Sequence, residues 1–192
     1  MATTTRRSRS RMAVGTQAKR RQARARKRRK RTVLYTGLAV IMASGLAAFL
    51  LWAVFAPQPG EHVPSQGNTH ITEAQMGQSR YNTSPPTSGP HLGSLARWGA
   101  HDEPIPDELQ VHNLEDGGVI VQYNCPDGCP DLVIQLQGIV EDYHKGVILA
   151  PYPDMESRIA LTAWQRIDQL DQFDEERISR FVRAYQGDDH HQ

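Results

Sequence analysis

The feature that most constrains this chain is a run of 29 residues, 32–60, without one charged side chain. Its first part, TVLYTGLAVIMASGLAAFLLWAVFA (residues 32–56), exceeds the ~20 apolar residues needed to cross a bilayer. Trp52 and Phe55 lie near one end and Tyr35 near the other, where aromatic rings favour the membrane interface. A cleaved signal peptide would have a shorter apolar core, about 7–15 residues, followed by small residues at the cleavage site. Here the run is longer and ends Trp-Ala-Val-Phe-Ala-Pro. We therefore expect an uncleaved transmembrane helix over residues 32–56.

Charge then sets the direction. Residues 1–31 hold 14 Lys+Arg and no acidic side chain, whereas the other 161 residues hold all 21 acidic side chains and 8 basic ones. By the positive-inside rule the basic end stays in the cytoplasm. The chain is then a single-pass plasma-membrane protein with an extracytoplasmic C-terminal part. Having nothing apolar to bury, residues 1–31 are expected to be disordered and to meet anionic lipid at the inner surface. A Lys/Arg run also releases counterions from nucleic-acid phosphates. Its place directly before an apolar run favours topology, so no nucleic-acid partner is expected. The net charge of −13 on the remainder suits an acidic surface that meets an envelope protein.

Residues 57–80, rich in Pro, Gly, Gln, Ser, Asn and Thr, read as a linker. His62 and His70 fall within it as solvated side chains. A domain of residues 81–187 follows. YNTSPPTSGPH (residues 81–91) is a proline turn that ends by presenting His91. LGSLARWG reads as one helical turn closed by Gly99. HDEPIPDELQ is a proline-punctuated acidic stretch, and residues 111–114 form a short strand or turn. Gly117-Gly118 opens the strand VIVQYN, whose Val119, Val121 and Tyr123 share a face. CPDGCP turns the chain into a helix near residues 131–142, where Leu132, Leu136, Ile139 and Val140 recur at helical spacing. Residues 147–150 and 158–164 are two further strands, separated by Pro151 and Pro153, expected as a hairpin or neighbouring edges. The last element, DEERISRFVRAYQG, is a helix with acidic residues at its start. The fold class is α+β: strand, helix, strand, strand, helix, with helices packed on a short sheet. Residues 188–192, DDHHQ, are expected to be a disordered tail, its His190 and His191 at most scavenging metal.

The blocks PPTSGPH, HDEPIPDELQVHNLEDGGVIVQYNCP and VILAPYPDM…RIALTAW…FDEERISRFVRAY, in this order, resemble the bacterial DUF3105 family. The resemblance covers residues 81–185. It implies a membrane-anchored protein and names no reaction. In that family the position after Leu-Glu is often His; here it is Asp116, which counts against a third histidine ligand at this place.

Chemistry concentrates in residues 111–130. Cys125 and Cys129 lie on the oxidising side of the membrane in this topology, and a local disulfide is their simplest state. A five-residue loop gains little entropy from closure. A thiol-disulfide redox module is the alternative, since a cysteine pair before a helix resembles thioredoxin-like sites. The spacing, however, is C-x3-C rather than C-x-x-C. Metal ligation by thiolate is the third possibility. His91 and His112 lie on no apolar helical face, so neither looks like core filling. With Glu115, and with Met155 as a possible thioether donor, they make a candidate transition-metal site. Copper stands slightly ahead of zinc, because His with Cys and Met suits copper. Glu115 and Asp116 serve equally as partners that fix a histidine tautomer. Ser88 and Ser94 lack a G-x-S-x-G elbow, and Gly117-Gly118 precedes a strand rather than a phosphate-binding helix. No catalytic or nucleotide-binding residue is assigned, and whether the chain is an enzyme stays open. The functional reading is metal binding or handling in the cell envelope, with a metal-free protein-interaction module as the alternative.

Overall fold

A computed structural model of the chain describes residues 4–55, 57–153 and 155–191. Ala56, the last residue of the expected anchor, and Gln192 of the expected tail lie outside the described residues, as do residues 1–3. The chain divides into two compact units, residues 1–57 and 58–192.

The first unit is one helix, α1 (Thr4–Phe55). Its stretch Arg26–Ala53 is long and apolar enough to cross a membrane. The hydroxyls of Thr32, Thr36 and Ser44 bond back to the carbonyls of Arg28, Thr32 and Ile41 at 2.9–3.0 Å, so none needs a partner from outside the helix. The basic stretch is not irregular as expected: it continues the same helix. Ala, Arg, Lys and Gln are strong helix formers, and no proline interrupts them.

In the second unit the organising element is β5 (Val119–Tyr123). Four of its five residues are buried, as a central strand covered on both faces requires. The helix α3 (Pro130–Glu141) carries the chain back over the sheet, so β6 (Val147–Pro151) lies parallel beside β5. The strand β7 (Ile159–Ala163) pairs antiparallel with the other side of β5. The expected hairpin of β6 with β7 is therefore wrong, because β5 separates them. Pro151 and Pro153 break the chain between two buried strands instead of marking an edge.

Of the four five-residue strands among the described residues, one escaped the sequence. β8 (Arg166–Leu170) makes a hairpin with β7 around Gln165, whose φ is +58°. Its polar residues are held by structure: Arg177 grips the Asp168 carboxylate with two N–H groups. The complete sheet has six strands, in the order β1-β8-β7-β5-β6-β4. Here β1 is Glu61–His62 and β4 is Gly99–Ala100. The stretch before β4, expected as a helical turn, is irregular; the Asn113 side-chain amide takes both the N–H and the C=O of Ala96.

Two further expectations are corrected here. Residues 58–80 are part of the domain and not a linker. β1 adds to the sheet edge against β8, and β2 (His70–Ile71) pairs in parallel with β3 (His91–Leu92). Such pairing uses backbone groups, which carry no apolar signature. Likewise, residues 107–115 are a helix, α2 (Asp107–Glu115), and not a loop followed by a strand. Pro104 and Pro106 only precede it, where proline does not obstruct a helix, and Asp107 and Glu108 occupy its first turn.

The sheet has a core on each face. Val119, Val121, Val147, Leu149, Ile159 and Leu161 face α3 and α4 (Glu175–Tyr185). Ile120, Ile148 and Ala150 face Val111 and Leu114 of α2, with Trp164 beside them. The domain is thus α+β, with helices on both sides of one mixed sheet.

Candidate metal centre

α2 lays His112 and Glu115 on one face, three residues apart. The helix must then turn into β5 at once. Gly117 has a φ of +76°, and a Cβ there would sit 2.8 Å from the Asp188 backbone. A Cβ on Gly118 would collide with the Asn113 carbonyl and come within 2.8 Å of the Trp98 ring. The glycine pair is a close backbone passage, as its position before a strand suggested.

The other two imidazoles come from the small parallel ladder. In the proline turn, Tyr81 Oη donates to Pro90 O (2.6 Å), Gly89 N to Gly67 O (2.9 Å) and His91 N to Thr69 O (3.0 Å). The register sets His70 opposite His91, with ring centroids 4.9 Å apart. Ser88 is spent in the same turn, where its Oγ accepts from Gln66 N at 3.0 Å.

Three nitrogens converge on one buried carboxylate oxygen. From Glu115 Oε2 the distances are 2.9 Å to His91 Nε2, 3.6 Å to His112 Nδ1 and 3.7 Å to His70 Nε2. One ligand atom from each of the four residues lies within 4.8 Å of all the others. Donors on one ion, at about 2.1 Å from it, are separated by at most about 4.2 Å. Only a slight contraction brings this set around a single ion.

The hydrogen bonding of these groups is incomplete by itself. Gly89 O, 2.8 Å from His91 Nδ1, can only accept, so Nδ1 carries the proton. His91 Nε2 then points its lone pair at a carboxylate oxygen, a contact that needs a second proton or a cation. His112 Nδ1 is buried without a hydrogen-bond partner among the described residues. A cation between the rings would satisfy both nitrogens.

Electrostatics agree. Burial pushes the His112 imidazole below its usual value, despite the pull of Asp116 and Glu115. Burial pushes Glu115 upward, but the Asn68 side-chain hydrogen bond and the nearby His91 and His191 rings outweigh it and hold the carboxyl below its ordinary range. A neutral imidazole and an ionised carboxylate are the ligating forms.

Of the residues singled out from sequence, His91, His112 and Glu115 meet here. Met155 does not join them: it is buried against Tyr152 and Ala160, because a thioether in a short loop fills a core gap well. Cys125 and Cys129 are bonded to each other, with Cα atoms 5.8 Å apart, in the turn that enters α3. Asp116 lies beside His191, Oδ1 to Nε2 at 3.3 Å. His70 and His191 were passed over as linker and tail. The hint for His70 was the run Thr-His-Ile-Thr after Gly67, a short β-branched strand signal. Nothing in DDHHQ announces that it folds back: His190 N donates to Glu115 O at 2.9 Å.

No curated protein and no solved structure matches this chain. One family model does, the protein of unknown function DUF3105, over residues 70–192. That span contains His70, His91, His112, Glu115 and His191, and it covers well over half of the sequence. The chain is therefore a member of the DUF3105 family.

Proposed function

We propose that this domain binds one divalent transition-metal ion through His70, His91, His112 and Glu115 and handles it at the outer face of the membrane. The observation that supports it is the convergence of three imidazole nitrogens on one buried carboxylate oxygen. Three nitrogens and an oxygen suit Zn(II) or Cu(II). The preference for copper rested on soft ligands. With Met155 in the core and the cysteines bonded to each other, neither the thioether nor the thiols singled out from sequence favour Cu(I). We read the disulfide as a brace for the turn before α3. We read the N-terminal end of α1 as cytoplasmic and lying against anionic lipid, a reading that the positive-inside rule supports. The half-exposed His70 ring gives the ion a route to solvent.

The direct test is titration of the detergent-solubilised full chain, purified without chelator or affinity histidines, with Zn(II) and Cu(II). One bound equivalent and a rise in melting temperature are expected, since a ligand held only by the native state stabilises it. A chain that takes up neither ion and shows no thermal shift leaves the metal-free interaction module as the reading.

Acid should release the ion. Protons compete with metal for imidazole nitrogens, so affinity falls as pH drops below the histidine value of about 6.5. Glu115 stays ionised through that range, because its carboxyl titrates below its ordinary value. The metal-free domain follows the same sign. The pKa of His112 is depressed in the fold, so its contribution to stability is present above about 6.5 and is lost as pH falls through the folded value. Equilibrium dialysis between pH values of about 7.5 and 5 checks this, and a flat affinity across the range contradicts it.

A further inference from the structure

We propose that His191 is a fifth ligand of the same ion, carried on a detachable arm formed by the segment after α4; this rests on the metal reading above. His191 Nε2 lies 3.5 Å from Glu115 Oε2, the oxygen already approached by His70, His91 and His112. A tetrahedral shell gives each donor three neighbours. Four nitrogens around one oxygen instead match a five- or six-coordinate shell, in which a donor has four adjacent partners.

The ring is prepared for the task. Asp189 Oδ1 lies 2.8 Å from His191 Nδ1 and can only accept, so Nδ1 carries a proton and Nε2 is the atom turned to the centre, free to ligate once the ring is neutral. A carboxylate behind a ligating histidine is a recurrent way to fix tautomer and orientation. The Gly89 carbonyl does the same for His91.

The arm is tied down lightly. Gly187 N donates to Gly117 O (2.8 Å) and His190 N to Glu115 O (2.9 Å). The His190 ring stacks on Trp164, with centroids 6.1 Å apart and planes 19° from parallel. His191 is about half exposed, whereas His91 and Glu115 are fully buried. The proposed ligands therefore come in two kinds: His91, His112 and Glu115, buried on β3 and α2, and His70 and His191, about half exposed, of which His191 lies beyond the last helix. Asp116 extends the route outward, because His112, Asp116 and His191 also place one donor each within 4.8 Å of one another. When the arm lifts, a coordination position opens for an acceptor of the ion.

The test uses the full chain in detergent, loaded with Co(II) as a spectroscopic probe or with Zn(II). In His191→Ala one equivalent still binds, with affinity weaker by roughly 10–100-fold, as for loss of a peripheral contact to a metal site. The Co(II) visible bands shift to those of a lower coordination number, and free imidazole restores them. Asp189→Asn weakens binding in the same direction by less. Unchanged affinity and spectrum in His191→Ala overturn the inference. So does a loss of affinity that imidazole does not restore, accompanied by a lower melting temperature of the metal-free protein, because that is a structural role. Absence of binding to the unmodified chain instead removes the metal reading itself, and the fifth ligand with it.

Discussion

Under the proposed metal reading, replacing His91 and His112 together with alanine is expected to abolish stoichiometric binding of Zn(II) and Cu(II), and with it the thermal shift expected of the parent chain. The two rings supply two of the three nitrogens nearest Glu115 Oε2. Loss of a contact behind a ligand costs about 10–100-fold in affinity, and loss of two ligands exceeds that. The stability readout is large as well. At a free ion concentration a hundred times the dissociation constant, binding adds about 2.7 kcal/mol to the folded state. His91 is completely buried, so the variant also leaves a cavity beside an ionised Glu115. Circular dichroism and a melt of the metal-free variant are therefore measured together with the titration. A folded double variant that still holds one equivalent at parental affinity would falsify the site.

The second large effect concerns the opposite face of the sheet. Phe181 on α4 is fully buried, makes an edge contact with Tyr185 (centroids 4.8 Å apart) and packs so closely on Gly60 that a Cβ there would lie 2.7 Å from its ring. Phe181→Ala removes the largest side chain among the fully buried ones. Such truncations cost about 3–5 kcal/mol, against a total stability of about 5–15 kcal/mol. We expect the melting temperature to fall by roughly 10–20 °C. Below the transition, metal affinity stays within a few-fold of the parent, because the ligands lie on the α2 side. Differential scanning calorimetry and the metal titration are the measurements. A shift of only a degree or two would contradict the packing described.

Elements with an apolar period were legible in the residues. Val119, Val121 and Tyr123 share a face of one strand, and Leu132, Leu136, Ile139 and Val140 recur at helical spacing; both became core elements, and only the structure shows the other face of the strand to be buried too. Elements held by backbone pairing or by polar side chains were not. β8 reads Arg-Ile-Asp-Gln-Leu and depends on the grip of Arg177 on Asp168, a partner outside the strand. The stretch before β3 depends on Gln66, which donates to Arg80 O at 2.8 Å and accepts from Asn82 N at 2.7 Å. The same division runs through the metal centre. His112 and Glu115 stood out because they lie in a motif-dense stretch, and His91 because it ends a proline turn on no apolar helical face. His70 and His191 are surrounded by polar residues, and only the fold brings them in. Met155 illustrates the opposite error: its chemistry qualified it as a ligand, but its apolar surface decided where it went.

The short ladder of β2 on β3 has a consequence for which parts of the domain stand or fall together. Its two residue pairs close a segment of about twenty residues, 70–91, whose helical support is one short 3-10 turn, Glu73–Gln75. The loop-closure entropy of such a segment is large compared with what two pairs return. An ion gripped by His70 and His91 on this ladder, and by His112 and Glu115 on α2, would act as a cross-link between parts of the chain far apart in sequence. The domain then consists of two cooperative units: a sheet with α3 and α4 that is stable by burial, and a face whose opening free energy is set by the metal. Supply of the ion would control the local order of that face, while the barrel-free sheet beneath it remains folded in either condition.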